Sequence, residues 1–294
     1  MLEARDVTYT VGGTVGGIAN GATLLRSVDL TVQPGRVIVL IGPNGAGKST
    51  LLRLFSGELK PTQGAILLDG RPLASFSPAE LARRRAVVPQ SSVLTFPFTV
   101  LEVTMLGVTV PGFDIPDAGA RKIALDALDS LDMAGLKDRS YIHLSGGERQ
   151  RVHIARALCQ LAMPTYRGGE TRCFLLDEPT ASLDLAHQTQ VLAALRRQAE
   201  LGHAVMAVLH DLNLAAALAD DMVLLARTEV VAAGSVTDVL RDDLLSAAYG
   251  CAVRTNQTPH GSRPFVLPPA VFGAPDASAS RVAPSSGATH MLAS

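Results

Sequence analysis

The sequence predicts an α/β fold in which a parallel or mixed sheet is flanked by helices. Short, uninterrupted apolar runs are the first observation behind this prediction, because a strand that is covered on both faces has no polar side. Such runs occupy residues 37–41, 173–176, 204–209 and 222–225. Helical patterns between the runs are the second observation, and they lie at about 145–161, 184–199 and 212–219. Alternation of strands and helices along a chain is typical of parallel sheets.

Two early segments predict an antiparallel β subdomain near the start of the sequence. Residues 5–11 and 24–32 have strand-like sequences, and the Gly-rich residues 12–21 connect them. This connection is too short and too flexible to hold a crossover helix. We therefore expect the two strands to pair in antiparallel orientation.

The middle and the end of the sequence predict a helical subdomain and a disordered tail. Strand signals are weak at about 91–160, so a mostly helical subdomain is expected there. Residues 269–294 are rich in Ala, Ser and Pro and are predicted to be disordered. The predicted organisation is a main domain over residues 2–250 with the helical subdomain inserted, an extension over residues 251–268, and this tail.

Composition excludes several classes of protein. The 294 residues carry 26 Lys+Arg against 27 Asp+Glu, and this balance argues against a general nucleic-acid binder, which has a basic excess. The chain is 47% hydrophobic, yet no apolar run approaches the about 18–20 residues that a membrane-spanning helix needs. The three scattered cysteines, Cys159, Cys173 and Cys251, indicate free thiols in a reducing compartment. We therefore expect a cytosolic protein.

A phosphate-binding loop follows the first apolar run directly. Glycines let successive backbone N–H groups converge on phosphate oxygens, and the start of the next helix adds a positive dipole. In this pattern Lys48 reaches the β- and γ-phosphates and the Ser49 hydroxyl is a ligand of Mg²⁺. A Gly-rich turn with a chance lysine is the alternative, which the flanking strand and helix disfavour. The loop residues are Gly42, Pro43, Asn44, Gly45, Ala46, Gly47, Lys48 and Ser49, followed by Thr50.

Two acidic residues end the buried run at 173–176. We expect Asp177 to hold Mg²⁺ through a water molecule and Glu178 to polarise the attacking water as a general base. Solvated carboxylates at an ordinary strand end are the alternative. The phosphate-binding loop earlier in the chain favours the catalytic interpretation.

Residues 144–151, with the sequence LSGGERQR, resemble the signature motif of ATP-binding-cassette (ABC) ATPases. A serine before two glycines can cap a helix whose amino end then points its dipole at a phosphate. The resemblance implies that Ser145, Gly146 and Gly147 bind the ATP held by a partner subunit. It also implies a head-to-tail homodimer with two shared ATP sites.

Other positions match this family one at a time. Gln90 resembles the Q-loop glutamine, which contacts Mg²⁺ or the attacking water, and His210 resembles the switch histidine at the γ-phosphate. Residues 182–184 resemble the D-loop, which communicates across the dimer. The family stacks an aromatic residue on adenine. Tyr9 can fill that role here, or it can be an ordinary sheet residue.

The resemblance implies a P-loop NTPase fold with a RecA-like core sheet, an antiparallel β subdomain and a helical signature subdomain. It implies ATP hydrolysis with Mg²⁺ by a subunit on the cytoplasmic face of the inner membrane. The implied partners are integral membrane permease subunits and, indirectly, a periplasmic or surface substrate-binding protein, with no nucleic acid. Phe96, Phe98 and Leu101 are expected either to dock the permease or to belong to the core of the helical subdomain.

The sequence is less specific about cargo. Residues 96–100, 184–188 and 210–216 resemble the ATPases of importers for haem, ferric siderophores and cobalamin, and hemin importers match best. Import of a ferric siderophore or cobalamin is therefore an alternative. A soluble scaffold ATPase is a less favoured one. The second cassette of translation-type members and the long coiled coil of repair-type members are both missing from this sequence.

Overall fold

The computed structural model describes residues 1–12, 14–15, 18–19, 21–90, 96–110, 115–163, 169–258 and 266–267. The predicted tail at 269–294 lies outside these residues. The strands are β1 (Leu2–Val11), β2 (Thr14–Val15), β3 (Ile18–Ala19), β4 (Ala22–Val32), β5 (Val37–Ile41), β6 (Gln63–Leu68), β7 (Arg71–Pro72), β8 (Arg85–Val88), β9 (Cys173–Asp177), β10 (Ala204–Val208), β11 (Asp221–Ala226) and β12 (Glu229–Gly234). The α-helices are α1 (Lys48–Ser56), α2 (Pro78–Arg84), α3 (Val100–Met105), α4 (Asp117–Asp129), α5 (Gly146–Ala162), α6 (Leu185–Glu200), α7 (Leu212–Leu218), α8 (Val236–Val239) and α9 (Asp242–Tyr249).

A six-stranded sheet in the order β12-β11-β5-β10-β9-β8 contains the predicted buried runs. Its strands pair in parallel except for the antiparallel β11–β12 pair at one edge. Every residue of β5, β9 and β10 is buried. The predicted α/β class and the predicted strands are therefore confirmed.

The sheet is covered on both faces, which explains why its strands lack polar alternation. In β5, Val37, Val39 and Ile41 pack into one apolar cluster with residues of the helical region. Ile38 and Leu40 face the other way and pack into a second cluster with the N-terminal strands and α1.

A smaller sheet in the order β4-β1-β6-β7 covers the second cluster. Its β1 and β4 pair in antiparallel orientation, as predicted from the short connection between them. Strand β6, which was not predicted from the sequence, pairs with the other edge of β1. Helix α1 contacts both sheets, so the helix that follows the phosphate-binding loop is fixed on two sides.

Residues 96–110 and 115–163 contain helices α3, α4 and α5, and no named strand lies in these described ranges. Helices α3 and α5 begin at capping boxes, in which a Ser or Thr and a Glu three residues later satisfy each other's backbone N–H groups. Leu101 is buried, which favours the core over permease docking as the role of this residue. Phe96 and Phe98 are exposed, with 66% and 38% of their surface accessible.

Two further expectations from composition have structural counterparts. Cys159, Cys173 and Cys251 are all free. Among the described residues, no helix has the length and apolar character that crossing a bilayer requires.

Gly107 packs so closely against α5 that any larger residue there should destabilise the protein. Gly107 lies in a 3₁₀ turn against α5, where an added Cβ would approach the Arg156 carbonyl oxygen to 2.0 Å. Gly107→Ala should therefore lower the free energy of unfolding by about 1–3 kcal/mol, because neither backbone can move without disturbing the helix packing. Urea unfolding measures this change. Gly135→Ala is the matched control, since nothing lies within 4 Å of its added Cβ. Equal unfolding midpoints for the two variants would contradict the packing argument.

Candidate functional site

The phosphate-binding loop joins the end of β5 to the start of α1. Gly42, Gly45 and Gly47 all have positive φ angles, of 141°, 79° and 98°, which favour glycine. Steric crowding adds to this preference at two of them. A Cβ on Gly42 would lie 2.0 Å from the Leu225 carbonyl oxygen, and one on Gly47 would lie 2.7 Å from the Leu24 carbonyl oxygen.

The side chain of Lys48 folds back and hydrogen-bonds to the loop that precedes it. Its buried ammonium Nζ donates hydrogen bonds to the carbonyl oxygens of Gly42, at 2.8 Å, and Pro43, at 2.9 Å. Burial lowers the pKa of Lys48 below its ordinary value, although the nearby carboxylates of Glu178 and Asp177 act to raise it. The charge is therefore held across the mouth of the loop, where phosphate oxygens would be received.

Asp177 ends β9 underneath this loop. Burial raises the pKa of its carboxyl group above the ordinary value, against the opposing effect of a hydrogen bond with the Ser49 side chain. Its Oδ1 atom is buried and has no hydrogen-bond partner in the described part of the chain. Burying a carboxylate oxygen without a hydrogen-bond partner costs free energy of folding. A bound ligand that contacts this oxygen would offset that cost, so the unpartnered atom indicates a ligand site.

Glu178 and His210 meet at the carboxyl edge of the sheet. They follow the neighbouring strands β9 and β10, and His210 Nε2 lies 2.6 Å from Glu178 Oε1. Glu178 has a positive φ of 51°, and its backbone N–H donates to the Val208 carbonyl oxygen at 3.2 Å. An unfavourable backbone conformation of this kind persists only where the surroundings impose it, and it is common at functional sites.

A cavity of about 480 Å³ opens above these groups. That volume is within the range of small-molecule sites. The structure brings the loop, Gln90, Glu178 and His210 together around it. Its lining residues are Leu24, Asn44, Gly45, Gly47, Lys48, Ser49, Thr50, Gln90, Glu178 and His210.

The predicted signature residues lie elsewhere in the chain and do not line this cavity. Ser145 is the N-cap of α5, and its side chain accepts a hydrogen bond from the Glu148 backbone N–H. Gly147 packs against the predicted D-loop, because a Cβ there would lie 2.8 Å from the Ser182 carbonyl oxygen. Within one copy of the chain, the signature residues are therefore separate from the cavity at the phosphate-binding loop.

Tyr9 is not among the cavity residues. It is partly buried on β1 and packs against the second apolar cluster. Leu24 lines the cavity instead, and sequence reasoning missed it. The available signal was the Leu24–Leu25 pair, since adjacent strand residues face opposite ways and Leu25 is fully buried.

Comparison with known proteins identifies the family. A sequence model described as ABC transporter matches residues 25–181. The protein named hemin import ATP-binding protein HmuV from Rhizobium meliloti is 41% identical over 268 residues, which cover 91% of this chain and 98% of that protein. The protein of the same name from Myxococcus xanthus is 49% identical, over 91% of this chain and 96% of that protein. The chain belongs to the ABC transporter family.

Solved structures of ABC proteins share the fold. The dimeric bacterial ABC transporter cassette MJ0796 superposes with a TM-score of 0.69 and 27% identity, over 80% of this chain and 99% of that chain. The cbiO1 protein from Clostridium perfringens, part of the transporter complex cbiONQ, gives a TM-score of 0.66 and 27% identity over 84% of this chain and 92% of that chain. A P-loop NTPase fold with an ABC cassette is therefore confirmed, and the chain is an ATP-binding ABC ATPase subunit.

The residues around Asp177 fit the Mg²⁺ that the sequence resemblance implies. Carboxylate and hydroxyl oxygens are the ligands that Mg²⁺ prefers, and it keeps several waters of its own. The unpartnered Oδ1 of Asp177 and the neighbouring hydroxyl of Ser49 supply such oxygens. Gln90 offers a further amide oxygen from the cavity wall.

Substitution of Asp177 tests this fit. Asp177→Asn keeps the side-chain shape but removes the negative charge, so the Mg²⁺ concentration for half-maximal ATPase activity should rise by about tenfold or more. A Mg²⁺ titration of the full chain at fixed ATP measures it. Asp126→Asn, at an exposed ion pair with Lys122 on α4, is the matched control. Superimposable Mg²⁺ curves for Asp177→Asn and the unsubstituted protein would show that Asp177 does not hold the metal.

Proposed function

We propose that this chain is the ATP-hydrolysing subunit of an importer that takes up hemin through a membrane permease. The observation that carries the proposal is the near full-length similarity to two proteins named for hemin import, from Rhizobium meliloti and Myxococcus xanthus. The cavity geometry supports the hydrolytic part, because it gathers a buried cation, the Glu178 carboxylate and a histidine at one sheet edge.

The proposed roles follow from position. The backbone N–H groups of residues 44–50 and the ammonium of Lys48 bind the phosphates of ATP. Ser49, Asp177 and Gln90 would hold Mg²⁺, which would neutralise part of the negative charge of the phosphates. Glu178 takes a proton from the attacking water. His210 holds the Glu178 carboxylate at 2.6 Å and thereby orients it toward the cavity.

A homodimer completes the site in this proposal. The residues Ser145, Gly146 and Gly147 stand at the amino end of α5, away from the cavity of their own chain. A second copy placed head to tail would bring this helix end, with its positive dipole, to the phosphates bound by the first. MJ0796, which shares the fold, is dimeric.

Phe96 and Phe98 are the proposed contact with the permease. Their rings lie 6.1 Å apart and are exposed, directly before helix α3. A small exposed pair of aromatic rings suits a helix of a membrane protein that reaches the cytoplasmic face of the inner membrane. The substrate-binding protein acts on the opposite side, in the periplasm or at the cell surface, and contacts this chain only through the permease.

Cargo is tested in the assembled transporter. The full chain is reconstituted in vesicles with its permease, and ATPase activity is measured with the substrate-binding protein in the lumen, empty or loaded. We expect hemin-loaded binding protein to stimulate turnover, because cargo arrival favours the closed, ATP-binding state. Stimulation by a ferric siderophore or by cobalamin, with none by hemin, would replace hemin by that cargo.

The role of Glu178 is tested separately from cargo. Glu178→Gln removes the general base but keeps the shape, so ATP turnover should fall by about 10²- to 10⁴-fold. Dimer formation with ATP and Mg²⁺, measured by size-exclusion chromatography with light scattering, should survive. Glu200→Gln, at an exposed position on α6, is the control. Normal turnover in Glu178→Gln would assign the base to another group.

A further inference from the structure

The last helix of the described chain touches the phosphate-binding loop. The backbone N–H of Gly42 donates a hydrogen bond to the hydroxyl oxygen of Tyr249, the final residue of α9, at 3.1 Å. The carbonyl oxygen of the same glycine accepts from Lys48 Nζ at 2.8 Å. Both polar backbone groups of Gly42 are therefore held by side chains from different parts of the chain.

The position of Tyr249 follows from the packing of α9. Leu245, one helical turn earlier, is fully buried in the apolar cluster that contains Val37, Val39 and Ile41 of β5, and Tyr249 packs against the same cluster. Residues four apart share one face of a helix, so burial of Leu245 directs Tyr249 inward. The helix then ends at Gly250 in a left-handed conformation. Burial raises the pKa of the Tyr249 phenol above its ordinary value.

Residues 251–258, here called the C-terminal clasp, fold back onto α9. Asp242 Oδ1 accepts hydrogen bonds from the backbone N–H of Thr255, at 2.7 Å, and from its hydroxyl, at 2.8 Å. Arg254 pairs with the other oxygen of Asp242 at 3.1 Å. Ser246 Oγ accepts from the Val253 backbone N–H at 2.9 Å. The clasp thus fastens both the beginning and the middle of the helix that carries Tyr249.

We propose that Tyr249 is a positioning residue of the phosphate-binding loop and that the C-terminal clasp keeps Tyr249 on Gly42. A loop that binds phosphate through converging N–H groups binds more tightly when its backbone is fixed beforehand. Lys48 must share its donors between the loop carbonyls and phosphate oxygens. The Tyr249 hydrogen bond, on the other side of Gly42, is a constraint that nucleotide binding does not need to break.

This proposal concerns nucleotide binding by the single chain. It depends neither on the transported cargo nor on dimerisation, so it can fail or succeed independently of the function proposed above. ADP with Mg²⁺ is a suitable probe, because its binding reports on the loop without requiring the general base.

The first experiment removes the Tyr249 hydroxyl. Tyr249→Phe in the full chain should raise the dissociation constant for Mg²⁺–ADP, measured by calorimetry, by about two- to tenfold, the equivalent of one lost hydrogen bond. The KM for ATP should rise in the same ratio, while kcat changes by less than about twofold, because hydrogen bonds to the reacting groups are untouched.

Tyr141→Phe is the matched control. It removes a hydroxyl that is bonded to the buried His153 in the helical region, away from the loop. It should lower the melting temperature without changing the dissociation constant for ADP. If Tyr249→Phe also lowers the melting temperature and leaves ADP affinity unchanged, Tyr249 has only a structural role and the proposal is overturned.

The second experiment loosens the clasp. Asp242→Asn weakens the contacts to Thr255 and Arg254. Asp243→Asn removes the same charge from the same helix turn, but in the described part of the chain it disturbs a pair with Arg241 instead. We expect Asp242→Asn alone to raise the ADP dissociation constant. We also expect no further loss in the double variant with Tyr249→Phe, because both changes act through one contact. Equal affinities for Asp242→Asn and Asp243→Asn would overturn the role of the clasp.

Discussion

The parallel register of the central strands is the constraint on which the whole site depends. Leu40 of β5 and Asp177 of β9 both pair with Val208 of β10. The residues that follow these strands therefore emerge side by side, and the loop glycine Gly42, the acid Glu178 and the neighbouring His210 share one edge. The chemistry is assembled by backbone hydrogen bonds between strands that lie far apart in sequence.

The buried charged groups at this edge, Lys48 and Asp177, are placed to bind a charged ligand. Burial lowers the pKa of Lys48 and raises that of Asp177, so desolvation acts against both charged forms. Lys48 Nζ donates its hydrogen bonds to loop carbonyls, and one oxygen of Asp177 finds no hydrogen-bond partner among the described residues. A polyphosphate would supply the charge opposite to Lys48, and a divalent cation would supply the charge opposite to Asp177. The strain and desolvation stored here are typical of a site that is satisfied by binding.

Local sequence was sufficient for the buried strands β5, β9, β10 and β11 and for the phosphate-binding loop, although not for β6. The run 37–41 coincides with β5 to the residue, because a five-residue apolar run bounded by a turn and a glycine loop has the length of a strand and is too short for a typical helix. Leu24 and Tyr249 escaped prediction for a different reason. Each meets the loop through tertiary packing, Leu24 from the neighbouring sheet and Tyr249 from a helix 207 positions along the chain from Gly42. Alternation with the buried Leu25 indicates which way Leu24 faces, but no local pattern specifies that Leu24 or Tyr249 meets the loop.

The high apolar content of the chain is largely accounted for by two clusters on either side of one sheet. Five of the eight phenylalanines lie in the described ranges, and Phe55, Phe76 and Phe174 are buried. Phe96 and Phe98 are the exceptions, and a loose backbone does not explain their exposure. The Phe98 carbonyl accepts from the Tyr141 backbone N–H at 2.8 Å, and the Phe98 backbone N–H donates to Phe96 at 2.9 Å. Rings presented to solvent on a hydrogen-bonded backbone form a pre-organised apolar surface, which favours a protein partner at this place.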